Sequence, residues 1–209
     1  MAAAAPVLVA RDLYFSFTNA PLFRALSCSI PPGVTLLHGD EGTGKTTLLK
    51  LLSGELATAS GTLQAGSLQL DLDPIAYRSA VFRTDPRSDA LEKITAREFL
   101  VSLQGRYPAL NMAAALTLAD AFALTLHLDK PMHMLSTGSK RKVWLTAGFT
   151  ANALVTLLDE PFAALDKASI ALVLDLLNEA AEHPARAWVV ADYTAPEGVP
   201  LAGHIRLDG

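Results

Sequence analysis

A glycine-rich stretch in the first quarter of the chain has the residue types and the spacing to hold a phosphate. Gly39-Asp40-Glu41-Gly42-Thr43-Gly44-Lys45-Thr46-Thr47 follows an apolar run and precedes a leucine-rich one. The spacing G-x-x-x-x-G-K-T is the P-loop pattern, whose glycines permit a positive φ and let backbone N–H groups face a phosphate. The helix expected after it adds unpaired N–H donors and a positive dipole end. The sequence therefore predicts a site for a nucleoside triphosphate.

Three side chains of this stretch have predicted roles. We expect Lys45 to reach the β- and γ-phosphates, Thr46 to ligate Mg²⁺, and Thr47 to contact the α-phosphate. An accidental glycine-rich turn is the alternative, since the bare pattern arises in roughly one random chain of this length in a hundred. The strand and the helix predicted on either side of the loop favour the phosphate site.

Two adjacent carboxylates follow a second apolar run, residues 154–158. A run of this length predicts a parallel strand buried on both faces, and ligand sites in open α/β sheets lie at the carboxyl ends of such strands. We expect Asp159 to hold, through water, the Mg²⁺ that Thr46 also binds, and Glu160 to polarise an attacking water. A strand that ends in two solvated acids is the alternative.

The stretch Leu135-Ser136-Thr137-Gly138-Ser139-Lys140-Arg141-Lys142 is the third candidate. Ser136 is a predicted N-cap for a helix that begins just after it. Three cations in the first turns of that helix oppose its dipole. A helix start with exposed donors, a glycine and uncompensated positive charge suits an incoming phosphate. A solvated basic face is an equally weighted alternative.

The elements that must position these residues alternate between strand and helix, which indicates an α/β fold with a mostly parallel sheet. Predicted strands cover residues 7–17, 22–30, 34–37, 60–63, 67–70, 80–82, 154–158, 187–190 and an edge strand at 204–207. Predicted helices cover a run ended by Gly54, then residues 96–104, 112–128, 137–152 and 168–181, and a turn is predicted at Asn19-Ala20-Pro21.

The composition narrows the class of protein. The chain has 209 residues, of which 51% are hydrophobic, and it carries a net charge of −4, which gives no nucleic-acid footprint. Its one cysteine, Cys28, is expected in the core and fits a reducing compartment. Residues 1–6 lack the features of a signal peptide, and no apolar run approaches the length of about 18 residues that spans a bilayer. Work at a membrane would require another chain to hold this one there.

Taken together, these motifs resemble the nucleotide-binding domain of the ATP-binding cassette (ABC) family, over about residues 7–209. The matching segments are residues 39–46 (Walker A), 135–139 (the LSGGQ signature), 155–159 with Glu160 (Walker B and the catalytic glutamate), 163–166 (the D-loop) and Phe17 (the aromatic that stacks on adenine). Ser136 and Asp159 are also separated by the usual family interval.

The resemblance implies a fold. It is a P-loop NTPase core with a mostly parallel sheet, a small antiparallel β subdomain and a helical subdomain. Residues 1–209 would form a single ABC-type ATPase domain. Residues 1–85 and 153–209 would be the core with its N-terminal β subdomain, and residues 86–152 the helical subdomain with the signature.

The resemblance also implies a mechanism and partners. Two such domains, identical or different, would pair head-to-tail around two ATP molecules and their Mg²⁺ ions, and Ser136 and Gly138 would contact the partner's γ-phosphate. An integral membrane permease subunit would hold the pair on the cytoplasmic face of the inner membrane, with no nucleic acid involved. The short helical region and residues 158–162 look most like the ATPase subunits of haem exporters.

Three positions depart from the family pattern. The signature has Thr137 in place of a glycine and Ser139 in place of glutamine. Thr84 stands where the Q-loop glutamine is expected. Its hydroxyl could still bind the metal's water shell, but the threonine side chain is shorter than that of glutamine. Asp192 stands where the switch histidine is expected.

The departure at Asp192 bears on catalysis. A carboxylate within about 4 Å of a γ-phosphate would repel it by up to roughly 4 kcal/mol at an effective dielectric constant near 20. Hydrolysis would be slowed unless Asp192 turns away, binds metal or is protonated. In a different loop register, Asp192 would instead face solvent.

Three functional hypotheses follow. The first is an active ATPase subunit of a membrane transporter, with Glu160 as base and with Lys45 and Asp192 beside the reacting phosphate. The second is a degenerate cassette that binds ATP and regulates a partner while turning over slowly. The third is a P-loop kinase of small molecules, against which the signature-like stretch and the Asp-Glu pair argue.

Overall fold

The computed structural model describes residues 5–17 and 20–207, and two β-sheets organise this part of the chain. With strands numbered in chain order, the antiparallel sheet contains, from one edge to the other, β2 (Pro21–Ile30), β1 (Leu8–Ser16), β4 (Ser60–Ala65) and β5 (Leu68–Gln69). The second sheet is parallel and contains β6 (Val81–Arg83), β7 (Val155–Asp159), β8 (Ala187–Asp192), β3 (Gly33–His38) and β9 (Gly203–Arg206).

Helices connect and cover these strands. In the described residues the α-helices are α1 (Lys45–Leu52), α2 (Pro74–Ala80), α3 (Ala96–Ser102), α4 (Met112–Ala121), α5 (Thr137–Thr150) and α6 (Lys167–Ala181). Short 3₁₀ helices lie at Asp89–Leu91, Leu103–Gly105, Thr125–His127 and Met132–Met134. A parallel sheet, an antiparallel sheet and helices between them confirm the predicted fold class.

The parallel sheet separates two hydrophobic cores. Val34 and Val190 belong to the core shared with α3 to α6, whereas Leu37 and Val189 belong to the core shared with α1 and the antiparallel sheet. Successive residues of a strand point to opposite faces, so a sheet buried on both faces needs nearly continuous apolar strands. Accordingly, β3 has valine or leucine at three of its six positions, and β8 reads Ala-Trp-Val-Val-Ala before it ends at Asp192.

The segment 86–152 contains α3, α4 and α5, and its core is continuous with that of the sheet. Phe99 packs against Trp144 with ring centroids 4.6 Å apart, and Trp144 in turn lies 6.1 Å from the ring of Phe82 on β6. The helices therefore bury their apolar faces partly against sheet residues. A division of the chain at residues 86 and 152 stays a prediction.

One predicted helix was too long, and one helix of the structure was not predicted. The helix expected over residues 112–128 ends at Ala121, because the chain turns at Ala123, which has a φ of 56°. The helix α2 was not predicted, although its signal is in the sequence. Asp73 caps it by accepting a hydrogen bond from the Ala76 N–H at 2.9 Å, and Pro74 occupies its first turn.

Other sequence expectations vary in outcome. Strand β8 is two residues longer than predicted and includes Asp192. Of the turn expected at Asn19-Ala20-Pro21, Asn19 lies outside the described residues and Pro21 is the first residue of β2; residues 1–4 also lie outside the described residues. Cys28 packs against the edge of the core, and burial raises the pKa of its thiol to about 11. None of the described helices combines the length and the apolar character needed to cross a membrane.

The end of α1 supplies a stability prediction. The hydroxyl of Tyr77, which is fully buried, donates to the carbonyl oxygen of Leu52 at 2.8 Å. We expect Tyr77→Phe to lower the free energy of unfolding by about 1–3 kcal/mol, because it leaves that buried acceptor without its hydroxyl donor. Urea denaturation measures this, and Tyr193→Phe on the exposed surface should stay within about 0.5 kcal/mol of the parent. Equal effects for the two variants would contradict the prediction.

Candidate functional site

The candidate site lies at one edge of the parallel sheet, where three neighbouring strands end. In the register of β3 and β8, His38 pairs with Asp192, and in that of β7 and β8, Asp159 pairs with Ala191. Because these strands are parallel, the loops that follow them leave the sheet on the same side. The glycine-rich loop and the two carboxylates at residues 159 and 160 are therefore brought together.

The loop that follows β3 needs its glycines. Gly42 and Gly44 have φ values of 82° and 97°, which side chains with a Cβ rarely adopt. Gly39 is required for a different reason, since a Cβ there would lie 2.5 Å from Oγ1 of Thr43. Asp40 and Glu41 are exposed at the tip of the loop. The loop is thus held in the curled form that the sequence predicts.

The side chain of Lys45, the first residue of α1, folds back into this loop. Its Nζ donates to the carbonyl oxygens of Gly39 at 2.5 Å and Asp40 at 2.8 Å, and the residue is buried. The two carbonyl oxygens therefore bind the ammonium group of Lys45, which the sequence analysis expects to bind phosphate oxygens. Thr47, one turn into the helix, is half-buried, and its predicted contact with the α-phosphate stays a prediction.

The hydroxyl of Thr46 donates to Oδ2 of Asp159 at 2.8 Å and so joins α1 to β7. Burial raises the pKa of Asp159, and the hydrogen bond from Thr46 opposes that shift. A hydroxyl and a carboxylate are the oxygen ligands that Mg²⁺ prefers. A cation here would also offset the cost of burying the carboxylate. The donor set therefore fits Mg²⁺.

The described residues contain no group of three His, Cys, Asp or Glu side chains that could hold a metal ion on its own. Mg²⁺ commonly keeps several waters and takes further ligands from phosphate oxygens. Two protein ligands, Thr46 and Asp159, are therefore compatible with a nucleotide-dependent magnesium site.

Glu160 begins the turn that follows β7. Its φ is 47°, and its N–H donates to the carbonyl oxygen of Ala191 at 2.9 Å, so the residue is fixed to β8 by its backbone. Its Oε2 lies 2.5 Å from Nη2 of Arg87. This ion pair could not be predicted from sequence, because the two residues are 73 positions apart.

Thr84, at the expected Q-loop position, is buried against β7. Its Oγ1 lies 3.4 Å from the carbonyl oxygen of Leu157, to which it donates, and it accepts a hydrogen bond from the Asp159 N–H at 3.2 Å. The hydroxyl is thus engaged with the backbone of the strand that carries the metal ligand. Its predicted contact with the metal's water shell stays a prediction.

Asp192 is the last residue of β8 and is only 5% exposed. The alternative in which it faces solvent is therefore wrong, because the strand continues through it. Its Oδ1 accepts a hydrogen bond from the Tyr193 N–H at 2.7 Å. Burial raises the pKa of the Asp192 carboxyl, and this effect is larger than the opposing one of its backbone hydrogen bonds. Asp192 and Glu160 line one cavity of about 560 Å³.

The signature-like stretch begins α5 as predicted. Ser136 caps the helix by accepting a hydrogen bond from the Ser139 N–H at 3.1 Å. A Cβ on Gly138 would overlap the carbonyl oxygen of Ala164. Gly138 is therefore required by close packing against the segment 163–166, which we call the D-loop.

The expectation that the cations of α5 are uncompensated was wrong. Lys140 lies 3.1 Å from Glu92, and Lys142 lies 2.6 Å from Asp166. Arg141 is buried and donates through Nη1 to the carbonyl oxygen of Ala163. Each cation thus has an acceptor from another segment of the fold, which offsets its unfavourable place in the helix dipole.

Phe17 directly follows β1 and is 59% exposed. Its ring meets Phe15 edge-on, with centroids 4.8 Å apart. An exposed aromatic face is compatible with stacking on a base, and the role of Phe17 at adenine stays a prediction.

Comparison with known proteins assigns this chain to a family. The family model for ABC transporters matches residues 23–163. A relative from Legionella pneumophila (strain Lens), the cytochrome c biogenesis ATP-binding export protein CcmA, is 32% identical over 192 residues, which cover 91% of this chain and 92% of the relative. The protein of the same name from Xylella fastidiosa (strain 9a5c) is 34% identical over 84% of this chain and 78% of its own.

Solved structures agree on the fold. The ATP-binding subunit of an ABC transporter superposes with a TM-score of 0.78 and 24% sequence identity, over 88% of this chain and 79% of that one. At this identity the likeness concerns the fold. The similarity to ATPase subunits of haem-exporter type, indicated by residues 158–162, agrees with the two relatives above.

The packing of Gly138 supplies a prediction. We expect Gly138→Ala to lower the free energy of unfolding by about 1–3 kcal/mol, because the added methyl group displaces the Ala164 carbonyl. Amide hydrogen exchange in residues 163–166 should become faster. Gly105→Ala is the matched control, since a Cβ there meets open space in the described structure and no positive φ is involved. Unchanged stability and unchanged exchange for Gly138→Ala would contradict the expectation.

The buried carboxyl of Asp192 supplies a prediction about pH. Its pKa in the folded protein is raised above the ordinary value of 3.8, so the folded state binds this proton more tightly than the unfolded state. Its contribution to stability is therefore present below the ordinary pKa and is lost as the pH rises through the folded pKa. Asp192→Asn should become more stable relative to the parent as the pH rises from about 4 to about 7. Urea denaturation at several pH values measures this, and parallel curves would contradict it.

Proposed function

Because the chain belongs to the ABC transporter family, we propose that it binds ATP with Mg²⁺, hydrolyses it and thereby drives a membrane transporter. The observation that carries the proposal is the 2.8 Å hydrogen bond to Asp159 from Thr46, the residue that directly follows the buried Lys45. The ammonium group of Lys45, the two proposed Mg²⁺ ligands and the glycine-rich loop thus lie at one sheet edge, as the binding of a triphosphate requires.

The residues of the site have distinct roles in the proposed reaction. Lys45 exchanges its bonds to the Gly39 and Asp40 carbonyls for the β- and γ-phosphate oxygens. Thr46 and Asp159 hold Mg²⁺, which when bound neutralises charge on those oxygens. Glu160 orients the attacking water and takes its proton. Phe17 stacks on the adenine.

A second cassette completes the proposed site. Ser136 and Gly138 lie at the start of α5, where backbone N–H groups can contact the γ-phosphate held by a partner chain. The partner is either a second copy of this chain or a different cassette. The sandwich closes on ATP and reopens after hydrolysis.

The names of the relatives suggest the process that is driven. Both are export proteins of cytochrome c biogenesis, and their sequences align with most of this chain. We therefore propose that this chain serves an exporter of that type. An integral membrane permease subunit holds it on the cytoplasmic face of the inner membrane, and no nucleic acid takes part.

A slowly hydrolysing, regulatory cassette is the second candidate, and the burial of Asp192 beside Glu160 favours it. A carboxylate in that position repels the γ-phosphate unless it is protonated or bound to metal. Family membership argues against a kinase of small molecules, and ADP release that depends on an added acceptor would be the sign of one.

Steady-state hydrolysis of MgATP tests the proposal. We expect the purified parent to release phosphate, and Glu160→Gln to reduce kcat by about 100-fold or more, because the base is lost while the shape is kept. Asp192→His should leave hydrolysis intact or raise it. Thr117→Ala, on the exposed surface of α4, is the control for a substitution outside the site.

Two outcomes would change the conclusion. A silent parent that gains activity with Asp192→His would establish the regulatory candidate. Failure of the parent and of both variants to bind or hydrolyse ATP would overturn the proposed function.

A further inference from the structure

The segment that follows β6 forms a turn that an ion pair and a backbone hydrogen bond hold in place. The guanidinium group of Arg83 is buried and lies 2.5 Å from Glu55 and 2.7 Å from Asp85. The Ser88 N–H then donates to the carbonyl oxygen of Asp85 at 3.0 Å, which closes the turn. Residues 85–88 are therefore held against the core by a buried cation and a backbone hydrogen bond.

Arg87 extends from this turn and contrasts with Arg83 in its exposure. The Arg87 side chain is 69% exposed, whereas that of Arg83 is 3% exposed. Arg87 contacts Glu160 through Nη2 at 2.5 Å, yet a guanidinium group has five N–H donors in a planar fork. An exposed ion pair of this kind is held only weakly and is easily exchanged for another anion.

Arg87 also shares a pocket with the two proposed Mg²⁺ ligands. Together with Thr46, Lys50, Arg141 and Asp159, it lines a pocket of about 380 Å³. Two guanidinium groups and both proposed Mg²⁺ ligands thus share one pocket. The neighbouring Thr84 does not reach into it, because its hydroxyl is hydrogen-bonded to the backbone of β7.

We propose that Arg87 contacts the terminal phosphate of bound nucleotide, and that this contact replaces the Arg87–Glu160 ion pair. This inference rests on the proposed function and adds a residue to it. A guanidinium group prefers a phosphate because it can bind two oxygens that carry more charge than a carboxylate. Without nucleotide, Arg87 neutralises Glu160, and the arrival of the terminal phosphate releases that carboxylate to act on water.

The phosphate contact is tested by comparing the dissociation constants of Mg²⁺·AMP-PNP and MgADP, which differ by the terminal phosphate. Arg87→Ala should weaken AMP-PNP binding about tenfold and change ADP binding less than twofold, because one charge-assisted contact is lost. Arg87→Lys should recover part of the loss. Arg97→Ala is the matched control, since Arg97 forms a similar exposed ion pair with Asp129 outside the site.

The possible results separate this inference from the function on which it rests. An AMP-PNP to ADP affinity ratio in Arg87→Ala equal to that of the parent would overturn the phosphate contact while leaving the ATPase proposal intact. A parent that binds neither nucleotide would overturn both. Far-UV circular dichroism of each variant confirms that the fold is retained.

The exchange itself is tested with a second substitution. Glu160→Gln removes the competing ion pair, so AMP-PNP binding should tighten about threefold or more when Arg87 is present. In the Arg87→Ala background the same substitution should have a smaller effect, because no ion pair remains to be broken. An equal or larger tightening without Arg87 would overturn the exchange.

Discussion

The parallel alignment of β3, β7 and β8 is the constraint on which the rest of the site depends. These strands carry the glycine-rich loop, the Asp159–Glu160 pair and Asp192, and their hydrogen-bonded register brings all of them to one sheet edge. Side chains alternate along a strand, so a shift of one residue in β7 would turn Asp159 away from Thr46. Two hydrogen bonds at the end of β7 oppose such a shift: the Glu160 N–H donates to the carbonyl oxygen of Ala191 at 2.9 Å, and the Thr46 hydroxyl donates to Asp159 at 2.8 Å.

Much of this arrangement was predictable, because the demands on the chain are local. A glycine-rich loop between an apolar strand and a helix can be recognised from its own residues alone. The strand that ends at Asp159 can be recognised in the same way. The capping role of Ser136 also follows from its place before α5. The missed helix α2 carried a readable signal in Asp73 and Pro74. The overextended helix prediction at residues 112–128 failed because an alanine, Ala123, adopts a left-handed conformation that composition does not reveal.

Charge pairing could not be predicted, because it depends on tertiary contacts. The basic start of α5 was expected to be uncompensated, yet Lys140 and Lys142 meet Glu92 and Asp166, which lie 48 and 24 positions away. The same holds for Arg87 and Glu160. In contrast, Asp159 is half-buried and Asp192 is buried, and this burial raises the pKa of each carboxyl. The two lysines at the start of α5 thus have anionic partners, whereas burial disfavours the charged forms of Asp159 and Asp192.

The attachment of α5 to the D-loop has a consequence for how two sites would communicate. Gly138 packs on Ala164, Arg141 bonds to Ala163, and Lys142 pairs with Asp166. Within a chain, three contacts therefore join the signature and the D-loop into one packed unit. In the proposed head-to-tail pair, this unit touches the nucleotide of the neighbouring chain, while Glu160 at the start of the same turn serves the chain's own nucleotide. Occupancy of either site then carries a coupling free energy for the other, and thermodynamic linkage makes that coupling equal in both directions.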